Sequence, residues 1–153
     1  MAKRRLAALH RTLFRGVSKL GWLPPLLLRL TLGVVFLQSG WGKLHHLEQV
    51  AGYFSSLGIP APHAQAVFVS SLELFGGACL LAGLGTRFLA FPLGVTMVVA
   101  LATAKASEIA TWSDALTQIE FLYLVMLGVL ILHGAGAVSA DGLIVRWLEA
   151  DPA

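Results

Sequence analysis

Three ionisable side chains stand in apolar runs long enough to cross a bilayer. Glu73 is the only charged residue of VFVSSLELFGGACLLAGL (67–84). Lys43 closes LLLRLTLGVVFLQSGWGK (26–43), with Gln38 about one turn deeper. Glu120 falls near the start of LTQIEFLYLVMLGVLILH (116–133). A carboxylate at the centre of a membrane helix costs roughly 2.5–3.5 kcal/mol on insertion scales, so each such residue needs a partner or a task. Lys43 is the expected partner of Glu73, with Glu120 nearby. Two carboxylates beside one ammonium make a usable acid–base group. The plainer alternative is an ion pair that fixes the register of two helices.

Two other sets of residues carry chemistry. His45, His46 and His63 share one loop with Glu48. Imidazoles bind copper, zinc or haem iron, so these three are metal-site candidates. Adjacent histidines point in different directions, however, and the spacing to His63 matches no standard site. His133 ends an apolar run, where it is an interface residue or an axial haem ligand. Arg29, Arg87 and Asp141 form the second set. Arg29 lies 14 residues, about 21 Å of helix, from Lys43. Asp141, in HGAGAVSADGL (133–143), is expected to cap or pair with Arg29 or Arg87 as a structural clamp. The chain has no P-loop and no HExxH, and GLGTRF (83–88) lacks the third glycine of a dinucleotide fingerprint.

The elements that must position these residues follow from composition. The chain has 153 residues, of which 57% are hydrophobic and 12% charged. Soluble domains carry about 25% charged residues, so an integral membrane protein is the leading class. The single cysteine, Cys79, excludes an internal disulfide and a dithiol redox pair, and reads as a packing residue. Four apolar spans are predicted, at 26–43, 66–84, 88–105 and 116–133. Each is near 18 residues, about 27 Å of helix. The expected fold is an all-α four-transmembrane-helix bundle over 26–145. A short interfacial helix in the first loop would hold Tyr53 and Phe54 at headgroup level. Pro92 is expected to kink the third span.

Residues 1–22 read as a basic amphipathic helix lying on the anionic membrane face, and 146–153 as a short cytoplasmic tail. Lys and Arg are divided nine to two between the sides, with only Lys43 and Lys105 opposite the termini. The bias places both termini in the cytoplasm and the His45–His46 loop outside. The polar side chains of all four spans then gather in the outer half of the bundle. Gly76 and Gly77 share a helical face with Glu73, and Gly33 and Gly40 lie seven apart on the first span, so close helix approach is expected. Nucleic acid is excluded as a partner by the lipid character of the chain.

RLTLGVVFLQSGWGKL (29–44), GIPAP (58–62), LELFGGACLLAGLGTR (72–87) and GAGAVSADGL (134–143) together resemble the DoxX family of small four-helix membrane proteins. The resemblance implies a bundle in the plasma (inner) membrane and a link to membrane redox chemistry. The related DoxD protein is a subunit of a thiosulfate:quinone oxidoreductase. Arg29, Lys43, Glu73, Arg87 and Asp141 are the matching polar positions.

Two functions follow. In the first, the protein is the quinone-linked membrane subunit of an oxidoreductase. Lys43 or Gln38 would donate to a quinone oxygen, Glu73 or Glu120 would exchange protons, and Trp41, Phe36 and Phe75 would flank the ring. The electron donor would be a partner redox protein or a bound metal. In the second, the bundle is a non-catalytic scaffold for a redox or metal-handling partner, and its ion pairs only hold register. A path for a small solute or ion is the weakest reading, since four helices leave little room for one. Glycine-lined faces favour self-association, so a homo-oligomer is a further expectation.

Overall fold

The computed structural model describes residues 20–150. Most of the expected N-terminal amphipathic helix lies outside that range; Leu20, Gly21 and Trp22 form the turn that enters the first helix. Among the described residues the chain is all helical, with seven α-helices, one 3-10 turn and no strand.

α1 runs from Leu23 to His45, with Pro24 and Pro25 in its first turn, where a missing N–H leaves no acceptor unpaired. α2 (Leu47–Ser56) follows after a single break at His46. α3 (Pro62–Ala82) begins on a proline and ends at Gly83, whose φ of 70° is left-handed. A tight turn leads into α4 (Thr86–Ala102), which continues through Pro92 without a break. A 3-10 turn (Ala106–Glu108) precedes α5 (Trp112–Thr117), α6 (Ile119–His133) and α7 (Ala140–Ala150).

The last predicted span therefore divides in two. Thr111 and Asp114 form a capping box that starts a separate short helix, and Gln118 then turns extended (φ −70°, ψ 138°). Glu120 consequently lies in the first turn of α6 rather than within a continuous helix. α1 and α3, at 23 and 21 residues, are long and apolar enough to cross a membrane. α4 and α6 are equally apolar but shorter, at 17 and 15 residues.

One core joins the four longer helices: Leu32 and Phe36 from α1, Leu80 from α3, Leu93 and Met97 from α4, Leu127 and Leu130 from α6. The tightest crossing is α1 on α3. A Cβ on Gly40 would overlap the backbone of Leu74, and one on Gly77 would overlap the backbone of Leu37. Small residues let two helix backbones touch, which replaces the hydrophobic drive that lipid cannot provide. The outward faces are apolar, with Phe88, Phe91 and Leu132 largely exposed.

Candidate functional site

A cavity of about 740 Å³ opens between α2, α3 and α4, with Lys43 of α1 and Glu120 of α6 at its edge. Its walls are mainly apolar, formed by Val50, Phe54 and Leu57 of α2, Phe68 and Val69 of α3, and Val95, Met97 and Val99 of α4. Lys43, Glu73, Thr96, Thr103, Lys105 and Glu120 supply the polar lining, with Gln49, Tyr53 and Gln65 at exposed positions. A concave apolar pocket with a few converging polar groups is the usual form of a small-molecule site.

Lys43 and Glu73 are an ion pair, Nζ to Oε1 at 2.5 Å. The partners differ sharply in solvation. The Lys43 side chain is 32% exposed, whereas that of Glu73 is 2% exposed. Glu73 is held there because α1 and α3 touch through Gly40 and Gly77, one turn away. Its second oxygen, Oε2, is buried without a hydrogen-bond partner. Oε2 of Glu120 is likewise buried and unpartnered. A desolvated, unpaired acceptor is costly, and two on one cavity wall are unusual for a surface that only packs. The position of Glu120 in the first turn of α6 places its carboxylate at the positive end of the helix dipole.

The rim is tied by side chains from the loop. Lys105 Nζ donates to both oxygens of Glu108, at 3.0 and 3.1 Å, and Gln118 Nε2 donates to Glu108 Oε2 at 3.4 Å. Asp114 accepts from the backbone N–H of Thr111 at 2.8 Å and from that of Ala110 at 3.1 Å. These bonds, chiefly those with Thr111, hold its carboxyl below the ordinary aspartate range.

Several expected ligand residues lie elsewhere. Gln38 and Trp41 are exposed on α1 and do not line the cavity. Phe36 is core, 2% exposed, and Phe75 faces outward. The rings on the cavity are instead Tyr53, Phe54 and Phe68. α2, the short helix expected in this loop, thus serves as a cavity wall. Its apolar residues at Val50, Phe54 and Leu57 recur at helical spacing and are the signal that points to this packing.

The histidines do not converge. His45 Nδ1 lies 2.8 Å from Trp41 O and His46 Nδ1 2.9 Å from Gly42 O, each within its own helical turn. His63 meets Glu48 at 3.3 Å. Among the described residues no three His, Cys, Asp or Glu side chains gather as a metal-ligand set.

The clamp at the other end of the bundle is real but is not an ion pair among the described residues. Asp141 accepts from the backbone N–H of Gly85 at 2.8 Å and of Thr86 at 3.3 Å, capping α4. Arg29, 1% exposed, donates from Nη2 to Val138 O at 2.7 Å. Arg87 donates to Leu132 O at 3.2 Å. Backbone groups at helix ends and in the loop before α7 take the place expected for opposite charges.

Comparison with known proteins adds a family. The DoxX family model matches residues 25–106, from α1 through the start of the 3-10 turn. Arg29, Lys43, Glu73 and Arg87 fall inside that match, and Glu120 and Asp141 fall beyond it. The chain is 29% identical over 127 residues to a Bacillus subtilis protein named "Putative oxidoreductase CatD", covering 83% of this chain and 84% of that protein. It is 38% identical over 79 residues to the Mycobacterium tuberculosis "Uncharacterized membrane protein Rv3486", covering 51% of this chain and 48% of that protein. No solved structure matches the chain.

Proposed function

The chain belongs to the DoxX family, and from that premise we propose that it is the membrane subunit of a quinone-linked oxidoreductase, with its ligand site in the cavity beside Lys43 and Glu73. Four crossings of the plasma membrane with both termini cytoplasmic are part of this reading. They are supported by the apolar exposed faces and by the nine-to-two division of Lys and Arg. The name of the Bacillus subtilis relative supports the redox association.

The observation that carries the site is that the two glutamates with a buried, unpartnered carboxylate oxygen, Glu73 and Glu120, both line one apolar cavity. That donor and acceptor set fits a ring with polar substituents and a long apolar tail. Lys43, Glu73 and Glu120 would hold the polar head, and Tyr53, Phe54 and Phe68 would flank the ring. A quinone supplies two-electron, two-proton exchange when bound. The chain's own part is to orient, to exclude water and to hold protons. Lys43 Nζ keeps Glu73 fixed through Oε1 and leaves Oε2 free to accept a proton or a hydrogen bond. Glu120 offers a second acceptor, and the apolar walls keep both dry. With Cys79 as its only cysteine the chain has no dithiol, so electrons pass to or from a partner protein.

The test is to purify the protein in nanodiscs and quantify quinone per chain, beside a Lys43→Ala/Glu73→Gln variant. Near-stoichiometric quinone in the wild type, lost in a folded variant, is the expected result. Absence of quinone in both, with the variant merely less stable, would make the pair a register device and the protein a scaffold for its redox partner.

A further inference from the structure

The polar groups of the cavity are sorted by solvation. Those that are buried and unsatisfied are acceptors: Oε2 of Glu73 and Oε2 of Glu120. The donors are either committed or wet. Thr96 donates its hydroxyl to Leu93 O at 2.7 Å and Thr103 to Val99 O at 2.8 Å, and Lys105 is taken by Glu108. Gln49, Gln65 and Tyr53 are exposed side chains, and Lys43 is bound to Glu73 with about a third of its side chain exposed.

We infer that this cavity selects the hydroxyl-bearing, reduced form of its ring ligand, a hydroquinone, over the carbonyl-bearing quinone. The inference rests on the quinone-site reading above. A hydroquinone brings two O–H donors to a wall whose buried, unpartnered groups are both carboxylate oxygens. Each can satisfy a carboxylate oxygen that otherwise stays desolvated and unpaired. A quinone brings only carbonyl oxygens. It adds acceptors to an acceptor-rich wall and relieves neither orphan. A site built around one donor and acceptor pattern rejects the isostere that lacks it much more strongly than an apolar pocket rejects a change of size.

The probes are decylubiquinol, decylubiquinone and the dimethyl ether of the quinol, which keeps ring and tail but has no O–H. Each is titrated anaerobically by calorimetry into wild-type protein and Glu120→Gln in nanodiscs, with empty nanodiscs as blank. Glu120→Gln replaces one acceptor oxygen by an amide donor and leaves the Lys43–Glu73 pair intact. The expected result is quinol binding at least about tenfold tighter than quinone or ether in the wild type, a factor set by one satisfied orphan. The preference should shrink several-fold in Glu120→Gln. Equal or tighter binding of quinone would overturn the inference while leaving a quinone site in place. A quinol preference shared by the ether, or unchanged in Glu120→Gln, would overturn the assignment to the carboxylates. No binding of any probe above the blank would overturn both this inference and the site reading.

Discussion

Gly40 on α1 backs directly onto Leu74 on α3, with no room between them for a methyl group. Lys43 is one turn further along α1, and Glu73 is the neighbour of Leu74. This close contact of α1 with α3 therefore sets the reach of the buried ion pair. Gly40→Ala should push the two backbones apart and destabilise the protein by about 1–3 kcal/mol, the usual range for overpacking. It should also lower quinone retention in nanodiscs. Gly42→Ala, where the added Cβ meets nothing within 4 Å, should do neither. Thermal unfolding and extracted quinone per chain check both.

The two halves of the ion pair should not be equivalent. Lys43→Met leaves a carboxylate that is 2% exposed without its counter-charge, and removing one partner of a buried pair costs about 3–5 kcal/mol. Glu73→Gln leaves an ammonium that is about a third exposed and solvated, so its loss should be smaller. Lys43→Met/Glu73→Gln should be more stable than Lys43→Met alone. A denaturation cycle over the four proteins measures the coupling, and additive effects would show that the pair contributes little.

Asp141 should matter through the acceptor oxygens it presents to the start of α4. It accepts from two backbone N–H groups at the start of α4. Asp141→Ala should cost about 1–2 kcal/mol, as removal of a helix cap does, and Asp141→Asn less, since one acceptor remains. Amide exchange of Gly85 and Thr86 should rise in the same order.

Asp114 gives a pH response in the loop. Its folded carboxyl titrates below the ordinary aspartate range because Thr111 and Ala110 bond the anion. The α5 cap is therefore fully stabilising above the unfolded value and is lost as pH falls through the lower folded one. Trp112, 88% exposed at the start of α5, offers a fluorescence probe. Its signal should change in acid below the ordinary aspartate range and lose that step in Asp114→Asn.

Ligand retention should separate the aromatic residues. Phe68→Ala alters a cavity wall and should reduce bound quinone several-fold, whereas Trp41→Leu, on an exposed face away from the cavity, should leave it unchanged.

The charged residues were the legible part of this site. Lys43 and Glu73 stand in apolar runs, and lipid forces such charges to meet. The rotation of α1 was not legible, because α1 is apolar on nearly every face. Gln38 lies five positions from Lys43, about 140° round the helix, and Trp41 about 200° round, so neither shares its direction. The partners of Arg29, Arg87 and Asp141 are backbone groups, which every residue carries and no residue type announces. The break at Gln118 falls in the polar stretch Thr117–Gln118–Ile119–Glu120, which the predicted span includes. Its trace was the Thr111–Asp114 capping box.

The bonds of the clamp also order events in time. The carbonyl that receives Arg29 belongs to Val138, 109 residues later, and the carboxylate that caps α4 arrives 56 residues after Gly85. A ribosome delivers the guanidinium and the bare start of α4 well before either acceptor exists. The nascent bundle must hold both in an unsatisfied state until its final segment emerges, so a chain stopped just short of Val138 would present an exposed polar flaw to whatever machinery surveys newly inserted proteins.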